Sequence, residues 1–123
     1  MKKNPLLKSF GFAFEGIRDT FRSERNIKIH GLFMIAVVIC GFLFRISLTE
    51  WFFCLVLFGL VTSLELVNTA IEAAVDLATE EKKPLAKKAK DAAAGAVLVS
   101  AIFAAVIGLF IFVPKLFHIL NIL

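Results

Sequence analysis

The chain has 123 residues, 59% of them hydrophobic, with 14 Lys+Arg against 10 Asp+Glu and a formal net charge of +4. That length allows one domain, and a water-soluble domain so small exposes too much surface to hide this many apolar side chains, while a disordered chain needs low hydrophobicity. The basic balance therefore points to an acidic membrane surface and not to nucleic acid.

The chain opens on the charged Met1-Lys2-Lys3, but the next stretch is broken by Glu15, Arg18, Asp19 and Arg22. That does not fit the short apolar core of a cleaved signal peptide. Instead, Leu6, Leu7, Phe10, Phe14, Ile17 and Phe21 recur every three or four residues. At about 100° per residue they share one sector of a helix, with Lys8, Glu15, Asp19 and Arg22 lying away from it. This spacing predicts an amphipathic helix over about 5–26, lying on a membrane surface, with Phe12 off the stripe. Continued past Arg22, the helix would return Glu24 to its apolar sector.

Three apolar segments follow. Gly31 to Phe44 is uncharged, and Ile27, Ile29 and Ile46 extend it, with Lys28 and Arg45 snorkelling at its ends. It predicts a first span over about 29–46. A second span, about 51–78, starts at Trp51, the residue type of an interfacial anchor, and continues helix-like to Ala78. The third, about 90–113, contains the uncharged run Ala92 to Val113, and Pro114 is expected to end it. Cys40 and Cys54 lie inside apolar runs without zinc-ligand spacing and read as small packing residues. The connections are short, Arg45 to Glu50 and Thr79 to Asp91.

Charge fixes the orientation. Lys2, Lys3, Lys8, Arg18, Arg22, Arg25 and Lys28 precede the first span, and Lys82, Lys83, Lys87, Lys88 and Lys90 lie in the second connection. Only Arg45 and Lys115 remain for the other side. The positive-inside rule then puts the N-terminus and the Thr79–Asp91 loop in the cytosol and the C-terminus outside. The fold class is all-α integral membrane, with three transmembrane helices and a surface helix.

The second span carries Glu65, Asn68, Thr69, Glu72 and Asp76. Stepping about 100° per residue, Asn68, Thr69, Glu72 and Asp76 all fall within about 60° of Glu65 around the helix axis, so the five share one face. An ionisable group at membrane depth costs roughly 2.5–3.5 kcal/mol, so such a stripe needs a cation, a basic group or water. At 1.5 Å per residue from Trp51, Glu65 lies about 21 Å in and Glu72 about 31 Å in, near the cytosolic edge. Carboxylates beside a lysine-rich loop suit a divalent metal with polyphosphate, the equipment of phosphoryl transfer. The same lysines would also serve topology and anionic lipid alone. No GxxxxGK[ST], GxGxxG, HRD or DFG motif is present, which excludes the soluble kinase folds. His30 and His118 sit at span ends and receive no role. A small proton-coupled transporter using Glu65 as carrier is the rival from another class, and a non-enzymatic assembly factor is the third reading. Three spans, carboxylates continuing to the cytosolic edge and the adjacent lysines weigh against the transporter.

The run ELVNTAIEAAVD from Glu65 to Asp76, followed by Ala89-Lys90-Asp91 and Ala94-Gly95-Ala96-Val97, resembles the prokaryotic diacylglycerol kinase family. Gly16-Ile17-Arg18 and Glu24-Arg25-Asn26 extend the resemblance over nearly the whole chain, one lipid-kinase domain over 1–123. PLAKKAKDAAAGAV is most similar to the Gram-positive branch, whose members are undecaprenol kinases. The resemblance implies a homotrimer in the bacterial cytoplasmic membrane, with composite sites between subunits. It implies Glu65 as catalytic base, and Glu24 and Glu72 as ligands of the Mg²⁺ that accompanies ATP. It assigns the nucleotide to Asn68, Asp76, Glu81, Lys82, Lys83, Lys90 and Asp91, and the lipid alcohol to Arg18, Trp51 and Glu65. The chain departs at Lys82-Lys83, where family members often have Tyr-His. Undecaprenol is the expected acceptor, with diacylglycerol, giving phosphatidic acid, as the alternative.

Overall fold

A computed structural model describes residues 4–121. Lys2 and Lys3, both counted in the charge balance, lie outside the described residues, as do the ends of the expected 1–123 domain. Every described element is an α-helix: α1 Pro5–Ser23, α2 Arg25–Leu43, α3 Leu48–Ala78 and α4 Pro84–Ile119. The last three are long and apolar enough to cross a membrane.

α1 is started by Asn4, whose side chain accepts from Leu6 N–H at 3.1 Å, with Pro5 in the first turn where its missing N–H costs nothing. Leu6, Leu7, Phe10 and Phe14 are exposed. The helix stops at Ser23, short of the expected 26. Glu24 is extended (φ −99°, ψ 124°), ending α1 and starting α2 at once. No Gly or Pro marks this break. Thr20 is buried on one side of the joint and Ile27 is 0% exposed on the other.

α2 begins at Arg25 and ends at Leu43, earlier at both ends than the expected 29–46. It closes in a left-handed turn. Ile46 N–H reaches back to Gly41 O at 3.1 Å and Arg45 N–H to Phe42 O at 3.4 Å. This is the Schellman arrangement, with Arg45 at φ 53° where glycine is usual. Ser47 and Glu50 then form a reciprocal capping box, which starts α3 at Leu48, ahead of the expected Trp51. Gly41 sits beneath Trp51 and Ile46: a Cβ there would meet the Trp51 ring at 2.5 Å. Trp51 also packs on Phe42, ring centroids 5.0 Å apart.

Pro114 does not end the third span. α4 starts at Pro84 and runs through Pro114 to Ile119. The proline removes one backbone donor, but the chain beyond it is held from the side. Lys115 Nζ donates to Glu50 Oε2 at 2.7 Å and to Ile111 O at 3.3 Å, tying α4 to the first turn of α3.

α3 is the central helix. It packs along α4, and α2 lies against its other flank. A small core of Ile46, Cys54 and Ile111, with Phe44, Phe58 and Phe112 against it, closes the Lys115 end. Between α2 and α4 an apolar cavity of about 600 Å³ opens along α3.

Candidate active site at the α1–α2 joint

The polar stripe of α3 rises from the interior toward the end of the bundle that carries α1. Glu65 is 3% exposed and Asn68 is 9% exposed. Glu72 is half-buried and Asp76 is exposed. The expected face is therefore real, and it passes from dry to wet along one helix. Its members are linked. Asn68 Nδ2 donates to Glu72 Oε1 at 3.1 Å, an i,i+4 bond that aims the Glu72 carboxylate. Asp76 pairs across the bundle with Lys90 of α4, where both are solvent-accessible.

Glu65 meets a residue that sequence reading leaves without a role. His30 Nδ1, on α2, lies 2.9 Å from Glu65 Oε1. Among the described residues neither atom has a hydrogen-bonding partner of good geometry, and Asn68 Oδ1 is buried and equally unpartnered. A carboxylate oxygen held dry and unsatisfied is costly, and such groups are kept where chemistry uses them. His30 also lines the inner end of the apolar cavity, with Val37, Phe44, Phe58, Ala104 and Phe112 further along. The cavity thus runs along the hydrocarbon-facing helices to His30, whose ring stands between it and the Glu65 carboxylate. A signal for His30 exists in the sequence: a buried Glu needs a basic or cationic partner. The register of α2 against α3, which brings the two together, is not written there.

Glu24 stands at the joint itself, half-buried. It makes no side-chain cap to α2, so its carboxylate is not consumed by helix termination. Glu24 and Glu72 both lie within electrostatic reach of Glu65. Among the described residues no group of three His, Cys, Asp or Glu converges to hold a metal. Two carboxylates, with phosphate oxygens and water completing the shell, are the usual protein share for Mg²⁺, and Glu24 and Glu72 fit that share.

The expected nucleotide residues gather at the same end but on the outside. Lys83 lies 3.8 Å from Glu81 in the α3–α4 connection, and Lys82 is exposed. Thr79 Oγ1 accepts from Glu81 N–H at 3.1 Å, which shapes this short turn. Lys87 bonds Asp91 one turn along α4, and Pro84, Lys87, Lys88, Asp91 and Ala92 line an open depression there. Two expected lipid residues are not drawn in. Arg18 is exposed beside its neighbour Asp19 at 3.7 Å, and Trp51 packs at the opposite end of α3, about 21 Å from Glu65 along the axis.

Residues 11–112 match the family described as prokaryotic diacylglycerol kinase. The chain is 54% identical to an undecaprenol kinase of Bacillus subtilis, over 92% of each chain. It is 39% identical to a diacylglycerol kinase of Synechocystis over 90% of this chain and 64% of that one. A diacylglycerol kinase of Escherichia coli is 31% identical over 82% of this chain and 83% of its own. With three apolar helices around a buried carboxylate and kinases matched along nearly its full length, the chain belongs to the prokaryotic diacylglycerol kinase family and is a membrane lipid kinase.

Proposed function

We propose that the chain transfers the γ-phosphoryl group of ATP to the hydroxyl of undecaprenol, giving undecaprenyl phosphate. One observation carries this reading: a buried carboxylate, Glu65, with an unpartnered oxygen, beside His30 at one end of an apolar cavity of about 600 Å³. A long hydrocarbon chain suits that cavity, and its terminal hydroxyl would be brought to the His30–Glu65 pair. The likeness to the undecaprenol kinase of Bacillus subtilis supports the choice of acceptor. Diacylglycerol is the second reading, favoured by the names of the more distant relatives.

In this reading Glu65 is the base that orients and deprotonates the lipid hydroxyl. Glu24 and Glu72 hold Mg²⁺, with Asn68 fixing the Glu72 carboxylate. When bound, that ion neutralises charge on the transferring phosphate. Asp76, Glu81, Lys82, Lys83, Lys90 and Asp91 form the wet end that receives the nucleotide, with Asn68 beneath them. Arg18 would meet the lipid at the membrane surface, and Trp51 only its distal tail. α1 lies on the bilayer with Leu6, Leu7, Phe10 and Phe14 in the lipid, which accounts for their exposure. The lysine-rich loop and the N-terminus face the cytosol of a bacterial cytoplasmic membrane, the C-terminus faces outside, and three copies assemble with sites shared between neighbours.

The test is turnover in detergent micelles with ATP and Mg²⁺, undecaprenol and diacylglycerol being offered side by side. Faster phosphorylation of undecaprenol is expected. Faster phosphorylation of diacylglycerol selects the second reading, and product on neither lipid rejects both. Strict nucleotide dependence separates either from a proton-coupled transporter.

A further inference from the structure

We infer that His30 is the positioning residue of the reaction, orienting the Glu65 carboxylate and taking over the proton that Glu65 removes from the lipid. The inference rests on Glu65 being the base.

The geometry is specific. His30 Nδ1 and Glu65 Oε1 stand 2.9 Å apart. The carboxylate is 3% exposed, whereas the His30 side chain is 23% exposed. Both paired atoms are buried, and the rest of the imidazole carries the partial exposure of the His30 side chain. Groups around it are few. Glu24 from the joint and Glu72 from α3 are the other ionisable groups near Glu65. α1 brings Phe21 against Gly31, the residue after His30. α4 presents Ala101, Ala104 and Ala105 to the cavity that His30 lines, and the Cys40 and Cys54 thiols lie further along it. No lysine or arginine among the described residues bonds Glu65 or His30. His30 is thus the basic group that offsets burial of Glu65.

The proton has a defined route. Neutral imidazole carries one proton and one lone pair on its two nitrogens, so Nδ1 can accept while Nε2–H releases. As the lipid oxygen bonds to the γ-phosphorus, its O–H bond breaks and the proton goes to Glu65. The bond between the γ-phosphorus and the bridging oxygen breaks, and ADP leaves. The proton then crosses from Glu65 Oε1 to His30 Nδ1, and Nε2 gives up its own to water. Alcohol and ATP yield phosphate ester, ADP and one proton. Without His30, Glu65 would have to shed its proton directly from a dry site before the next turnover.

The test uses His30→Ala and His30→Asn in the full chain, assayed in detergent with ATP, Mg²⁺ and undecaprenol. Both should lower kcat about 100-fold, with little change in KM for ATP. Removal of the ring beside a cavity leaves room for a small azole. Imidazole in the buffer should therefore restore turnover to His30→Ala, and substituted imidazoles should restore it in order of their basicity. The same azoles should do nothing for Glu65→Gln. Wild-type kcat in His30→Ala overturns the inference, and so does an equal loss in both variants that no azole relieves, since that marks a packing role. An inactive wild-type protein would instead reject the kinase reading itself, so the two failures are distinguishable.

Discussion

Glu65 is held in a place that disfavours its charge. A carboxylate 3% exposed in a bilayer-spanning helix has lost its water and has one imidazole in return. Glu65→Gln removes the charge, keeps the shape and leaves a polar atom beside His30. The variant should lose at least about 100-fold in kcat, while its unfolding midpoint in detergent stays equal or rises. A midpoint that falls along with activity would make Glu65 a structural residue. Asn68 acts one step further out. Its amide donates to Glu72 at 3.1 Å, so Asn68→Ala frees the Glu72 carboxylate to swing. The Mg²⁺ concentration for half-maximal activity should rise about 10-fold or more, the usual effect of losing an outer-shell partner. Substitution without any shift in Mg²⁺ titration would detach Asn68 from the metal. The stripe from Glu65 to Asp76 is legible in sequence because helix geometry alone puts those residues on one face. His30 is not, because its function depends on how two helices register, which no local period encodes.

Among the elements, sequence signals locate the helices well and their ends less well. The short connections are legible, but the Ser47–Glu50 box starts α3 at Leu48, ahead of Trp51, where the apolar run alone puts it. The break at Glu24 carries no sequence mark, since no Gly or Pro stands at the joint. Pro114 is a stop signal that the fold overrides, because Lys115 anchors the helix to Glu50 beyond it. The turn between α2 and α3 shows the opposite case, a close packing that depends on one small residue. Gly41 admits the edge of Trp51 where a Cβ would stand 2.5 Å from the ring. Gly41→Ala should therefore destabilise the detergent-solubilised protein by about 1–3 kcal/mol. The loss should shrink when Trp51→Leu is present as well, because the clash is then gone. Equal destabilisation in both backgrounds would show that the alanine fails for another reason.

At the level of the whole molecule, hydropathy and charge act together. Among the described residues hydropathy gives three helices able to span, an odd number, which in the proposed arrangement would put the two ends of the chain on opposite sides of the bilayer. Charge then breaks the tie between the two orientations. Arg18 and Arg22 lie in α1 and Arg25 and Lys28 at the start of α2, and five lysines from Lys82 to Lys90 lie at the same end. The opposite end holds Arg45 and Lys115, and Lys115 is already paired with Glu50. Moving the larger group outward against the positive-inside bias is disfavoured. The proposed orientation also has to serve the chemistry, since ATP is available on one side only and the acidic stripe opens toward the lysine-rich end. Two single cysteines test it. Glu80→Cys lies in the α3–α4 connection and Thr49→Cys in the exposed first turn of α3. The native Cys40 and Cys54 line the apolar cavity, away from a charged reagent. In intact spheroplasts a membrane-impermeant maleimide should label Thr49→Cys and spare Glu80→Cys until the membrane is opened. The reverse pattern would put the nucleotide end outside, where no ATP pool exists, and would sink the orientation and the kinase site together.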